Sequence, residues 1–189
     1  MEALNYFNIT LNEFSNLLVG TKDRIDVLQN VLSQLYEIII MKRSRLQVIQ
    51  MKDEKDEEML KNMEEAIPYI QSLLFNAATN CFNTEKLIVN AKAVSENDEN
   101  PKAFNIAMAQ IFASFSSLRS TICNTYKVAL LLNKMSEEVI TKLGPDSKLE
   151  KFLNQFTTMC KTLSEKLVDK SINSKVQGWV LNAMISVSK

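Results

Sequence analysis

The sequence has no histidine among its 189 residues, and it has only three glycines, three prolines and three cysteines. Without histidine, the chain lacks the commonest general base and the commonest transition-metal ligand in proteins. A zinc site, a Ser-His-Asp or Cys-His nucleophile and an E-x-x-H di-iron bundle are therefore excluded. The shortage of glycine and proline, with 46% hydrophobic residues, indicates long uninterrupted helices and not a turn-rich β fold.

The three cysteines, Cys81, Cys123 and Cys160, are far apart, and each falls inside a predicted helix. An odd number without close spacing is a poor disulfide framework, and buried free thiols behave as small apolar residues. We therefore expect no disulfide and a location in the cytoplasm or another reducing compartment. The N-terminus has no basic start and no long apolar core, so no signal peptide is visible, and a processed secreted chain is the alternative.

Motifs that bind cofactors or carry catalysis are missing from the sequence. There is no glycine-rich phosphate loop, no Cys-x-x-Cys pair and no G-x-S-x-G elbow. Adjacent carboxylates such as Glu64 and Glu65 point in different directions on a helix and belong to charged faces. The basic cluster from Lys42 to Arg45 lacks interleaved aromatic residues, which argues against nucleic-acid binding. We therefore predict a protein that is not an enzyme, with no catalytic residue, cofactor, metal or evident small-molecule substrate.

The first predicted helix carries the most regular pattern in the chain. Ten of its twelve heptad positions from Leu11 to Ile49 are apolar, at the three-four spacing of a supercoiled, coiled-coil seam. Thr10 and Glu13 have the spacing of a capping box, which predicts that this helix begins near residue 10. The helix is expected to end near residue 50, where an acidic run opens the next one.

The same heptad spacing predicts three more helices, at about 53–95, 101–142 and 147–187. Pro68 is expected to kink or divide the second helix, and the repeat of the fourth slips between residues 169 and 174. The third begins with an Asn100 cap and Pro101 and ends at Gly144-Pro145. The predicted seam residues are Leu60, Met63, Ile67, Ile70, Leu74, Ala77, Cys81, Thr84, Ile88 and Ala91; then Phe104, Met108, Ile111, Phe115, Leu118, Ile122, Thr125, Ala129 and Leu132; then Leu149, Leu153, Phe156, Cys160, Leu163 and Leu167.

Four helices of similar length, joined by short connections, predict an all-α fold. The expected architecture is an elongated up-down-up-down antiparallel four-helix bundle, formed by a single domain over residues 1–189. The alternative is five or six shorter helices, if the chain breaks near Pro68 and near residue 170.

Charge is unevenly distributed along such a bundle. Antiparallel folding gathers residues 1–21, 72–122 and 168–189 at one end, where they carry 14 charges, while the rest of the chain carries 30. The charge-poor end also holds most of the aromatic residues. Its core could account for that, with Asn, Ser and Thr covering the outside; alternatively, this end presents apolar surface to a partner.

The favoured hypothesis is a non-enzymatic module that associates with a protein partner or with itself, as a homo-oligomer, through apolar helix faces. The candidate interaction residues are those of the charge-poor end: Phe7, Phe104, Phe112, Phe115, Trp179 and Val180. The alternative is a membrane-active or lipid-binding bundle, toxin-like or lipid-carrier-like, that opens to expose its apolar faces. Protein is the better-supported partner, because the segment lacks the Lys/Arg face of an interfacial helix.

Overall fold

A computed structural model describes residues 2–48, 54–97, 101–143 and 147–168 of the chain. Within these ranges the protein consists of four α-helices and contains no strand. They are α1 (Glu2–Val48), α2 (Glu54–Asn97), α3 (Pro101–Leu143) and α4 (Ser147–Leu167). Their contacts are those of a helical bundle, which confirms the predicted all-α class.

The heptad seams form the core of the bundle. Every seam residue predicted in α2 and α4 is buried, and so is every one in α3 from Met108 to Leu132. In α1 the nine positions from Leu11 to Ile39 are buried, whereas Lys42 is only half-buried. Lysine at a seam position keeps its charged end near water while its aliphatic stem covers apolar neighbours.

The chain forms two compact units. Unit 1 gathers Met1–Asp23, Asn76–Ser120 and Glu165–Lys189, and unit 2 gathers Arg24–Phe75 and Thr121–Ser164. The segments of unit 1 are close to those that antiparallel folding places at the charge-poor end. In the described part of the chain, the predicted segments begin and end within four residues of those of unit 1.

Hydrogen bonds in unit 1 show that α2 and α3 run antiparallel. The Asn80 amide nitrogen donates to Ser117 Oγ at 3.4 Å, and one turn later Thr84 Oγ1 lies 2.6 Å from Ser114 Oγ. As the residue number rises along α2, the partner's number falls along α3. In unit 2, the guanidinium of Arg43 donates to a carboxylate oxygen of Glu64 and joins the end of α1 to the start of α2.

The predicted start of α1 is wrong, and of the two outcomes expected at Pro68, a kink or a division, the division does not occur. Thr10 lies inside α1, which begins at Glu2. A side-chain cap stabilises a helix by about 1 kcal/mol. Two further turns of helix stabilise the chain by more than the cap does.

Pro68 does not divide α2, which is continuous from Glu54 to Asn97. Because Pro68 is exposed, water can satisfy the carbonyl whose helical hydrogen bond the proline removes. The bend predicted near residue 170 lies outside the described residues.

All three cysteines are free thiols. Cys81 and Cys160 are buried in the core, while Cys123 is half-buried, with its sulfur 3.2 Å from Ser164 Oγ. Desolvation by burial raises the pKa of each buried thiol to about 12, and at Cys81 the nearby Glu85 carboxylate adds to the effect while Lys22 opposes it. These two thiols therefore stay protonated and act as core residues.

Candidate functional site

The six predicted interaction residues are only partly described by the structure. Trp179 and Val180 lie outside the described residues. Phe7 lies in α1 and Phe104 in α3, and their side chains are also outside what the structure describes. Phe112 is half-buried on α3. Of the six residues, only Phe112 and Phe115 have side chains within the described part of the chain.

Phe115 belongs to the core of unit 1 and is fully buried. Its ring meets that of Phe14 edge to face, with the ring centres 5.5 Å apart and an angle of 66° between the planes. This is the favourable arrangement for two aromatic rings. Phe115 therefore has no surface to offer a partner in this fold; its predicted place in the α3 core seam is confirmed, and its assignment to the interaction surface is wrong.

A second apolar pattern lies on the outside of α2. Its residues follow one another at spacings of three and four, like the core seam, but all are exposed to solvent. We name this set the outer seam of α2, and within unit 1 its members are Thr79, Phe82, Lys86, Val89 and Ala93. Since α2 continues through these positions without interruption, the five residues share one face of a helix.

The outer seam has three large apolar residues, Phe75 in unit 2, which is 67% exposed, and Phe82 and Val89 in unit 1. Phe82 is 52% exposed and Val89 is 64% exposed, although each lies directly beside a buried core residue. The Nζ atom of Lys86 lies 4.5 Å from the centre of the Phe82 ring, a cation–π contact one helical turn away. The seam therefore combines apolar surface with one cation in contact with an aromatic face.

The outward-facing positions of the other helices differ among themselves, and those of α3 within unit 1 include exposed Ile106 and Ala113. The equivalent positions of α4 are exposed and contain only polar or charged residues, namely Lys151, Asn154, Thr158, Lys161 and Glu165. The outer positions of α1 within unit 1 include two exposed apolar residues, Ile9 and Val19, among Asn12, Asn16 and Asp23. Such faces are those of an ordinary solvated helix. The outer seam of α2 is distinguished by an exposed aromatic ring, that of Phe82, and by the cation that lies over it.

One flank of the outer seam is lined with asparagine. Asn76, Asn83 and Asn90 are exposed, are spaced seven residues apart and stand next to the apolar positions of the seam. An amide both donates and accepts hydrogen bonds and carries no charge. Another helix that approached from this side would meet polar groups able to pair with it without like-charge repulsion.

The described part of the chain offers little for other kinds of site. No group of three or more metal-ligating side chains comes together in it. None of its helices is both long enough and apolar enough to cross a membrane.

The outer seam could have been predicted from the sequence. Phe75, Thr79, Phe82, Lys86, Val89 and Ala93 alternate at four and three residues, which is the signal used to find the core seams. It was missed because the core seam of α2 is longer and unbroken. A helix with two such patterns has two faces able to pack, and periodicity alone does not say which face is covered.

No protein-family model matches this chain, and no curated protein matches it significantly.

Proposed function

We propose that this protein is a non-enzymatic association module, in which the outer seam of α2 docks a helix from another molecule, including a second copy of the chain. One observation carries the proposal: Phe82 and Val89 are both more than half exposed on one helix face, at heptad spacing. Exposed apolar side chains that follow a heptad repeat are the arrangement by which helices pair.

The charge distribution supports a protein partner. Unit 1 has 18 of the 44 charged residues of the chain, and the asparagine flank beside the seam is neutral. A lipid-facing helix would instead carry lysine and arginine around its apolar stripe, where they contact anionic headgroups. The outer seam has one lysine, Lys86, and that lysine already lies over the Phe82 ring. A helical protein surface therefore suits this face better than a membrane does.

The three free thiols fit a reducing compartment, as the sequence led us to expect. We propose this location together with the association function, because association through helix faces requires no disulfide.

The proposal is tested by placing charge on the seam. Phe82→Glu with Val89→Glu puts two carboxylates on the docking face, and glutamate is a good helix former, so α2 should persist. The matched control is Val27→Glu with Leu131→Glu, which adds the same charge at exposed apolar positions of unit 2. Each variant is compared with the wild type by sedimentation velocity from micromolar to millimolar concentration, and by flotation with anionic and zwitterionic vesicles.

We expect the wild type and the control to increase in mass with concentration, and we expect the seam variant to associate at least about tenfold more weakly. No chain should float with vesicles. Equal association by all three chains, or a wild type that stays monomeric throughout, would contradict the proposal. Flotation of the wild type that the seam variant loses would instead support the lipid-binding alternative.

A further inference from the structure

The self-complementary order of residues along the outer seam carries an inference about its partner. We infer that the helix received by the outer seam is α2 of a second copy, running antiparallel about a twofold axis that passes near Thr84 and Glu85. The inference rests on the proposed function and specifies which segment docks and in which direction. It is argued from the order of large, small and charged residues along the seam.

Along the outer seam, Thr79, Lys86 and Ala93 stand at heptad a positions, and Phe82 and Val89 stand at d positions. In antiparallel pairing, each a position of one chain faces a d position of the other. Phe82 then faces Lys86 of the second copy, and Thr79 faces Val89 of the second copy. In the first pair an aromatic ring meets a cation, and in the second the larger Val89 meets the smaller Thr79. The twofold axis repeats both contacts, as an isologous interface requires.

Charge decides between the two directions. Parallel pairing would place Lys86 against Lys86 of the second copy in the middle of the interface, where two like charges would lose water together. Antiparallel pairing places the same lysine against an aromatic ring. The chain already shows that this contact is compatible with the seam, because Lys86 lies over its own Phe82.

The flanks agree with the same arrangement. On one side of the axis, Asn83 meets Asn83 of the second copy, and Asn76 meets Asn90 of the second copy. Each of these pairs can exchange amide hydrogen bonds. On the other side, Glu85 meets Glu85 of the second copy, which is the one unfavourable contact of the pairing. Replacing Glu85 should therefore strengthen the dimer, a result that the parallel arrangement does not produce, since it pairs Glu85 with an asparagine.

The asparagine flank provides the test. In the full chain carrying Cys123→Ser, which removes the half-exposed thiol and leaves two buried ones, Asn76→Cys, Asn83→Cys and Asn90→Cys are made singly. Each protein is treated with a short bifunctional maleimide at a concentration where sedimentation shows dimer. The Cys123→Ser chain alone is the control for reaction at the buried thiols.

We expect the Asn83→Cys chain to form a covalent dimer alone. The other two should cross-link only when mixed with each other, and Glu85→Gln should raise the association constant several-fold. Equal cross-linking of all three single variants, or none by Asn83→Cys in a solution that sediments as dimer, would overturn the antiparallel pairing and leave the proposed function standing. A chain that sediments as monomer at every concentration would overturn both.

Discussion

Thr84 Oγ1 lies 2.6 Å from Ser114 Oγ, and through this contact a fully buried hydroxyl of α2 is joined to a half-buried hydroxyl of α3. Thr84 donates its single hydroxyl proton to the carbonyl of Asn80 at 2.6 Å, so its oxygen accepts the proton of the Ser114 hydroxyl on the neighbouring helix. The hydroxyl of Thr84, a polar residue in the core seam, thus has hydrogen-bond partners. Because one partner lies on α3, the contact favours the observed alignment of α2 with α3 over an alignment shifted along the helix axis.

The contribution of this contact can be measured with a double-mutant cycle. Thr84→Val removes the buried hydroxyl at similar size and should lower the free energy of unfolding by about 1 kcal/mol. Ser114→Ala should cost less, because Ser114 is half-buried and water can replace part of its hydrogen bond. Chemical denaturation of both single variants and of the double variant should show that the double loss is smaller than the sum. Strictly additive losses would mean that the two hydroxyls do not interact.

Gly20 offers a stabilising substitution within α1. A Cβ atom added there would meet no atom within 4 Å, so alanine fits without rearrangement. Glycine inside a helix is less favourable than alanine by about 1 kcal/mol, because it loses more backbone freedom on folding. Gly20→Ala should therefore raise the unfolding free energy by about that amount, measured by urea denaturation. A loss of stability instead would show that another molecule or segment approaches this position closely.

The two buried thiols predict how stability depends on pH. Their pKa of about 12 in the folded chain lies above the ordinary value near 9. Above pH 9 the unfolded chain therefore holds fewer protons than the folded one, and stability falls as the pH rises from about 9 toward 12. Each thiol should contribute a loss of about 1 kcal/mol per pH unit in this interval.

The matching measurement compares the wild type with Cys81→Ala plus Cys160→Ala at pH 8 and pH 10. Lysine and tyrosine also titrate at high pH, but they are common to both proteins, so the difference isolates the thiols. The wild type should lose more stability than the variant. Parallel pH profiles would contradict the assignment of these thiols as desolvated core groups.

Much of the bundle was predictable from the sequence, because its core follows one rule throughout. Heptad spacing identified the buried residues from Leu60 to Ala91 in α2 and from Leu149 to Leu167 in α4, and the Pro101 and Ser147 helix starts were correct. The start of α1 was not, because a possible cap at Thr10 is a weak local signal, and the helix continues through it to Glu2.

The candidate site was less predictable than the fold. The charge-poor end was recognised, yet Phe115 was assigned to a surface although it fills the core against Phe14. Phe82 and Val89 were left out of the predicted site. Aromatic content and low charge describe a region of the chain, but they do not tell which side of a helix meets water. That distinction needs the neighbouring helices, and only the structure supplies them.

The central claim is that the outer seam of α2 leaves water when the protein associates, and it is tested most directly at Phe82 itself. Trifluoromethyl-phenylalanine placed at position 82 of the whole chain reports the surroundings of that ring by fluorine NMR. The same group at Leu131, an exposed residue of α3 in unit 2, is the control. The account predicts that the signal at position 82 shifts and broadens as concentration rises from micromolar to millimolar, in step with the increase in mass, while the control signal stays constant. A position-82 signal that remains unchanged while the protein associates would contradict it.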